Sequence, residues 1–208
     1  MNNKQQLLTL PLFVFEELLK DPTHAKDVLK RLCMHTKQHV PTPVCISSDI
    51  YITIDQIRSN IHRMVGDEVC KASHYEGFFC DVLGWNMVDD RYYDAYNGLH
   101  YIEMKKGQSL MWFDLVRYAE IYLNIGRQGT ITLFIQYDKR VKCVKEVYVI
   151  FTTRLMDFLN MSETVAKQCI ELYQLQTRRL NMQASATKLD MKKMAFCVIN
   201  NPHFPNKR

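Results

Sequence analysis

Asp94-Ala-Tyr-Asn-Gly-Leu-His-Tyr-Ile-Glu103-Met-Lys105-Lys-Gly107 reads as a β-hairpin whose second strand carries acidic and basic side chains. Asn97-Gly98 lies between two runs rich in tyrosine and in β-branched or aliphatic residues. That dipeptide is the strongest short-range hairpin signal, because a type I′ turn needs positive φ at both central positions. Side chains of a strand alternate between its two faces. Glu103 and Lys105 should therefore share one face of the run Leu99 to Lys105, with Ile102 and Met104 on the other. The hairpin also folds the preceding strand back, which brings Asp94 towards Glu103. Two carboxylates and an ammonium should converge at one point on a sheet.

Such a group suits metal-dependent phosphodiester hydrolysis. Mg²⁺ takes hard oxygen ligands and is commonly held by one or two carboxylates, several waters and substrate phosphate. A bound metal polarises the phosphate and acidifies an attacking water. A neighbouring lysine can orient that water or offset the developing negative charge. An exposed Glu–Lys pair by itself is worth at most ~1 kcal/mol, so the hairpin context gives the tripeptide its meaning. Asp94, the hairpin and Ile102-Glu103-Met104-Lys105 together resemble the PD-(D/E)xK nuclease motif of type II restriction endonucleases. The resemblance spans roughly 53–151. Tyr93 stands where the motif name places a proline, a departure that many restriction enzymes of the superfamily share. The resemblance implies Asp94 and Glu103 as metal ligands, the Met104 backbone carbonyl as a candidate third ligand, and Lys105 as the catalytic lysine. It implies Mg²⁺ as the cofactor, with Mn²⁺ as a substitute. An extra acidic residue on the preceding helix is also implied, with Glu68 and Glu76 as the two candidates.

Composition sets wider bounds. The chain has 208 residues, is 47% hydrophobic and carries a net charge of +5, which suits one domain of ordinary core size. Its mildly basic balance is compatible with a polyanionic partner. The polar opening and the short apolar run Leu7–Phe15, broken by Pro11, form neither a convincing signal peptide nor a membrane span. A cytoplasmic protein without a membrane partner is expected. Seven scattered cysteines lack a CxxC pair, so no zinc site or disulfide framework is expected. The seven histidines show no metal-ligand spacing, and there is no glycine-rich phosphate loop or internal repeat.

The expected architecture is α/β of the α+β type, a central mixed sheet flanked by helices with a restriction-endonuclease-like core. It is read as a single nuclease domain over 1–208: a helical part at 1–52, the catalytic core at 53–152, and a helix and strand at 153–208. Pro11 to Lys20 and Thr23 to Lys37 should be helices, and Val44 to Ile52 is ambiguous. Thr53-Ile-Asp-Gln56 resembles a capping box for a helix with Ile57, Ile61, Met64, Val65 and then Glu68 along one face. Asp81, Asp89 and Asp90 are rival carboxylates, the last two in a polar turn. Ser109 is expected to cap a helix to about Asn124, closed by Gly126 and Gly129. Strands follow at Thr130 to Tyr137 and Val141 to Thr152, joined by Asp138-Lys139-Arg140. Asn160-Met-Ser-Glu163 should start a helix to about Arg179, followed by a polar loop at 180–187, a strand at Met194 to Ile199 and an exposed tail.

The candidate DNA contacts are Lys106 and Gln108, just beyond the catalytic strand, and Lys139, Arg140 and Lys142 at a hairpin tip with Lys145 beside them. Arg178-Arg179 and Lys192-Lys193 are further basic pairs. Tyr92, Tyr93, Tyr96 and Tyr101 are expected to pack on the sheet. The expected activity is that of a Mg²⁺-dependent type II restriction endonuclease, cutting double-stranded DNA at a short sequence and leaving a 5′-phosphate. Cutting both strands implies a homodimer. The alternatives in the same chemistry are a structure-selective repair or Holliday-junction nuclease and a cap-snatching-like RNA endonuclease. The latter expects an upstream histidine, for which His62 and His74 are poorly spaced. A non-catalytic nucleic-acid-binding protein is the alternative from another class.

Overall fold

A computed structural model describes residues 48–124, 130–159, 161–174 and 183–205. The expected helices before Val44, the glycines at 126 and 129, and Arg178-Arg179 lie outside these residues. The described chain divides into two compact units, interleaved in sequence. One takes 48–111, 130–155 and 186–205; the other takes 112–124, 156–174 and 183–185.

The first unit opens with helix α1 (Ile50–Asn60) and a 3-10 turn at Ile61–Arg63, followed by α2 (Asp67–Cys70) and α3 (Tyr75–Leu83). Its sheet contains β1 (Asn86–Met87), β2 (Ala95–Tyr96) and β3 (Tyr101–Gly107), then β5 (Thr130–Asp138), β6 (Cys143–Phe151) and β8 (Cys197–Asn200), in the order β1-β2-β3-β5-β6-β8. Only β3 and β5 run parallel, from Tyr101↔Thr130 to Gly107↔Gln136. Parallel neighbours need a crossover between them; here it comprises β4 (Leu110–Asp114), α4 (Leu115–Asn124) and the segment leading into β5. The architecture is thus a mixed α/β fold, with helices flanking a central mixed sheet. β5 is buried from Thr130 through Gln136 because a central strand has neighbours on both sides and layers on both faces.

One sheet face supplies Ile102, Met104, Ile131, Leu133, Ile135, Val147 and Val149 to a core shared with Ile50, Ile54, Ile57 and Ile61, and with Phe79, Cys80, Val82 and Leu83 from α3. Fully burying one such side chain contributes ~1.5–3 kcal/mol. This apolar packing holds β3 from behind. Residues 101, 103 and 105 necessarily take the opposite face.

Several local expectations are overturned. Thr53 does not cap a helix: α1 begins at Ile50, and Thr53 is fully buried within it. The buried stripe Ile50, Ile54, Ile57, Ile61 extends a turn upstream of that local cap signal. The same helix does not reach Glu68. Gly66 adopts φ 111 and donates its N–H to the Lys142 carbonyl at 2.7 Å, while Val65 bridges Cys143, so the chain turns off to meet β6. Ser109 does not start a helix; Leu110–Asp114 is extended with alternating burial, and Asp114 accepts N–H groups from Val116 (3.0 Å) and Arg117 (3.4 Å) as the true cap of α4. The segment expected as a polar loop contains β7 (Gln183–Thr187), which pairs with β4 in a separate two-stranded sheet.

Beyond β6 come α5 (Thr152–Phe158) and α6 (Glu163–Gln174), the latter capped by Ser162, whose hydroxyl accepts the Val165 N–H at 3.2 Å. Thr187 and Asp190 form a reciprocal capping box on α7 (Lys188–Met194) before β8 completes the sheet. The C-terminal segment is not wholly exposed. Asn201 is buried, its amide group donating to the Val144 carbonyl at 2.8 Å. No helix among the described residues is long and apolar enough to cross a membrane.

Candidate active site

The β2–β3 hairpin forms, but not with the expected two-residue turn. The strands pair at Ala95↔Ile102 and Tyr96↔Tyr101, leaving the four-residue loop 97–100. Gly98 alone in that loop has positive φ (88°). Asn97 works through its side chain, its Oδ1 accepting the N–H of Leu99 (3.0 Å) and of His100 (2.7 Å). Its Nδ2 donates to Thr53 Oγ1 at 2.7 Å, tying the loop to α1. Asparagine side chains compete for such local backbone donors, which here outweighs the type I′ preference.

The hairpin register sets Asp94 beside Glu103. The Asp94 N–H donates to the Ile102 carbonyl at 3.0 Å, and the Asp94 carboxylate accepts the Met104 N–H at 2.6 Å. Met104 lies between Glu103 and Lys105 in sequence, so this one bond seats Asp94 against both. Lys105 Nζ donates to Glu103 Oε1. Glu103 is 1% exposed, whereas the Lys105 side chain keeps 19% of its surface open. Asp94, Glu103 and Lys105 are therefore brought together.

The electrostatics follow from burial. Burial first, and the neighbouring Glu103 second, push the Asp94 carboxyl up to about 6, against the opposing pull of Lys105 and the Met104 N–H. Burial also pushes the Cys80 thiol up to about 11, with Asp94 adding to it. Tyr75, opening α3, donates its hydroxyl to the Met104 carbonyl at 3.2 Å. Burial raises the Tyr75 phenol far above its ordinary value, reinforced by Glu76, Asp94 and Glu103. Sequence reasoning missed both Tyr75 and Cys80. An isolated tyrosine or cysteine on a helix carries no spacing signal, and only the packing of α3 behind β3 brings them to the carboxylates.

Among the described residues no three His, Cys, Asp or Glu side chains group to hold a metal ion. The available donor set is two carboxylates plus the Met104 carbonyl. These are hard oxygens, and a carboxyl raised to about 6 by burial first and by the neighbouring Glu103 second is relieved by a divalent cation. The set fits Mg²⁺. Of the auxiliary candidates, Glu68 is drawn into a surface ion pair with Lys71 at 2.6 Å. Glu76 instead shares the surroundings of Tyr75 and Cys80, the same groups that sense Asp94. Asp81, Asp89 and Asp90 are exposed.

The basic residues divide. Lys106 does not project freely. It donates to the carbonyls of Val69 (2.7 Å) and Lys71, lies over the Tyr75 and Tyr137 rings at 4.7 and 5.0 Å, and is pushed below its ordinary value by burial. Lys142 pairs with Asp67 at 2.5 Å. Lys139 and Arg140 are exposed on the β5–β6 turn, and Gln108 is exposed just past β3. Because β3 and β5 are parallel, Gln108 and this turn lie at the same end of the sheet, ~17 Å (Gln108) to ~23 Å (Lys139) along the strands from the level of Glu103. Comparison with protein-family models, with curated proteins and with solved structures finds no match to this chain.

Proposed function

We propose that this chain is a Mg²⁺-dependent endonuclease of double-stranded DNA, working as a type II restriction enzyme within a restriction-endonuclease-like core. The observation that carries this reading is the Met104 N–H bond to Asp94, which joins two carboxylates and a lysine in one partly buried site. Asp94, Glu103 and the Met104 carbonyl would hold the ion, and Mn²⁺ would replace it. When bound, it supplies charge neutralisation at the scissile phosphate and a more acidic water. Glu103 holds the Lys105 ammonium in place. Lys105 orients the attacking water and offsets the charge that grows on the phosphate oxygens as they are attacked. Tyr75 fixes the Met104 carbonyl from behind. The exposed Lys139 and Arg140 would meet flanking phosphates. One such site serves one strand, so cutting both strands calls for a two-fold homodimer.

Digestion of a plasmid and a long phage DNA in Mg²⁺ tests this directly, with EDTA as control. Discrete bands are expected, lost in EDTA and reduced about 10²-fold or more in Lys105→Ala, as for removal of one group that stabilises developing charge. Absence of cleavage in both Mg²⁺ and Mn²⁺ would overturn the reading.

A further inference from the structure

Tyr101, Glu103 and Lys105 occupy alternate positions of β3 and so stand in line on one face. Tyr101 is 47% exposed, although the neighbouring Ile102 is fully buried. Its ring lies 4.8 Å from that of Tyr96 at 34° and 5.2 Å from that of Tyr93 at 33°. The two rings beside Tyr101 are held in place. Tyr93 is 6% exposed and directly precedes Asp94, and the Tyr96 hydroxyl donates to the Gly98 carbonyl at 2.8 Å. A cross-strand aromatic pair supports a hairpin by burying ring surface. Nearly half of the Tyr101 side chain stays exposed beyond that task. It is a rigid, uncharged π surface ~7 Å along the strand from the Glu103 carboxylate.

We propose that Tyr101, backed by Tyr96 and Tyr93, is a stacking platform for an unpaired nucleobase of the DNA strand being cut. The proposal rests on the nuclease reading above and deepens it by specifying the state of the substrate. The two ends of β3 then have different duties. Gln108 and the Lys139-Arg140 turn lie at the Gly107 end, and the neutral ring pile lies at the Tyr101 end. A phosphate gains little from a neutral ring next to two carboxylates, whereas a base gains a stacking partner. Inside a duplex the π faces are already covered by neighbouring bases. The platform therefore takes a base that is looped out, mismatched, frayed or extruded.

The test measures binding of the full chain to fluorescein-labelled dA12 and to the same strand with abasic sugars, by anisotropy in EDTA. The wild type should bind dA12 about 10-fold tighter than the abasic strand, the range of one aromatic–base stack. Tyr101→Ala should abolish this preference while leaving abasic binding unchanged, which also shows that the variant is folded. Tyr101→Trp should keep the preference, and its added emission should be quenched by dA12 and not by the abasic strand. An unchanged preference in Tyr101→Ala, unquenched emission in Tyr101→Trp, or a wild type indifferent to the bases would each overturn the platform. Cleavage is scored separately in Mg²⁺. Base-dependent, Tyr101-dependent binding without cleavage of any DNA would sink the nuclease and leave the platform standing. Cleavage without base-dependent binding would do the reverse.

Discussion

Asp94 carries a conflict between burial and charge. Its carboxyl has an ordinary value of 3.8 and is raised to about 6 in the fold, chiefly by burial. Between those two values the folded protein keeps a proton that the unfolded chain has lost. Stability therefore falls as pH rises through this window, and the penalty, about 3 kcal/mol at 1.36 kcal/mol per unit, is complete above about 6. Asp94→Asn removes the charge and keeps an acceptor for the Met104 N–H. In EDTA at neutral pH it is expected to be more stable than the wild type by about 1–3 kcal/mol in thermal unfolding, while losing cleavage. The proposed hydrolysis needs the ionised carboxylate, so kcat/KM should fall as pH drops through about 6, and higher Mg²⁺ should move that limb to lower pH. Lys106 carries the opposite lesson. The sequence places it beside the site, yet its ammonium is held by two carbonyls and two rings. Lys106→Met removes those hydrogen bonds and the cation over the rings, and should lower stability by about 1–3 kcal/mol. Urea unfolding checks this, and DNA affinity should change little.

At the element scale, β3 is constrained from both sides. Ile102 and Met104 are fully buried behind it, and its last residue, Gly107, has no room for a side chain. A Cβ at Gly107 would clash with the Leu110 carbonyl oxygen and lie 3.2 Å from the Phe134 ring. Gly107→Ala is expected to destabilise by about 1–3 kcal/mol, the range for overpacking, and to lower the proposed activity with it by shifting the end of β3. Thermal unfolding and cleavage rates together check this. Elements whose period agrees with their environment were legible in sequence: β3, β5 and β6 lie close to their expected places. Leu110–Asp114 was not, because a short apolar run fits either periodicity until its pairing partner, β7, is known.

The parallel pairing of β3 and β5 sets Gln108 and the β5–β6 turn at one end of the sheet and Tyr101 at the other. Lys139 and Arg140 share a turn at one end, and replacing both with alanine should weaken duplex binding in EDTA. It should also reduce the slope of log K against log salt by about 2, one for each phosphate no longer neutralised. An unchanged slope would place the duplex elsewhere on the protein. The interleaving of the two units in sequence is also a property of the whole molecule. No local pattern marks it, since each unit gathers segments that lie far apart along the chain.

The hairpin and the shared face of Glu103 and Lys105 could be read from the amino-acid order, whereas the four-residue loop that sets Asp94 opposite Glu103 was not the turn the dipeptide signalled. The first two depend on turn chemistry and on the two-residue period of a strand, both local properties. Four other features came only from the folded chain: α1 starts at Ile50, Glu68 turns away to Lys71 while Glu76 stays near Tyr75, Lys106 is held inward, and Tyr101 stays half exposed. Each of these depends on which distant segment covers a side chain. Coverage is settled by long-range burial, which overrides a cap or propensity worth only ~1 kcal/mol.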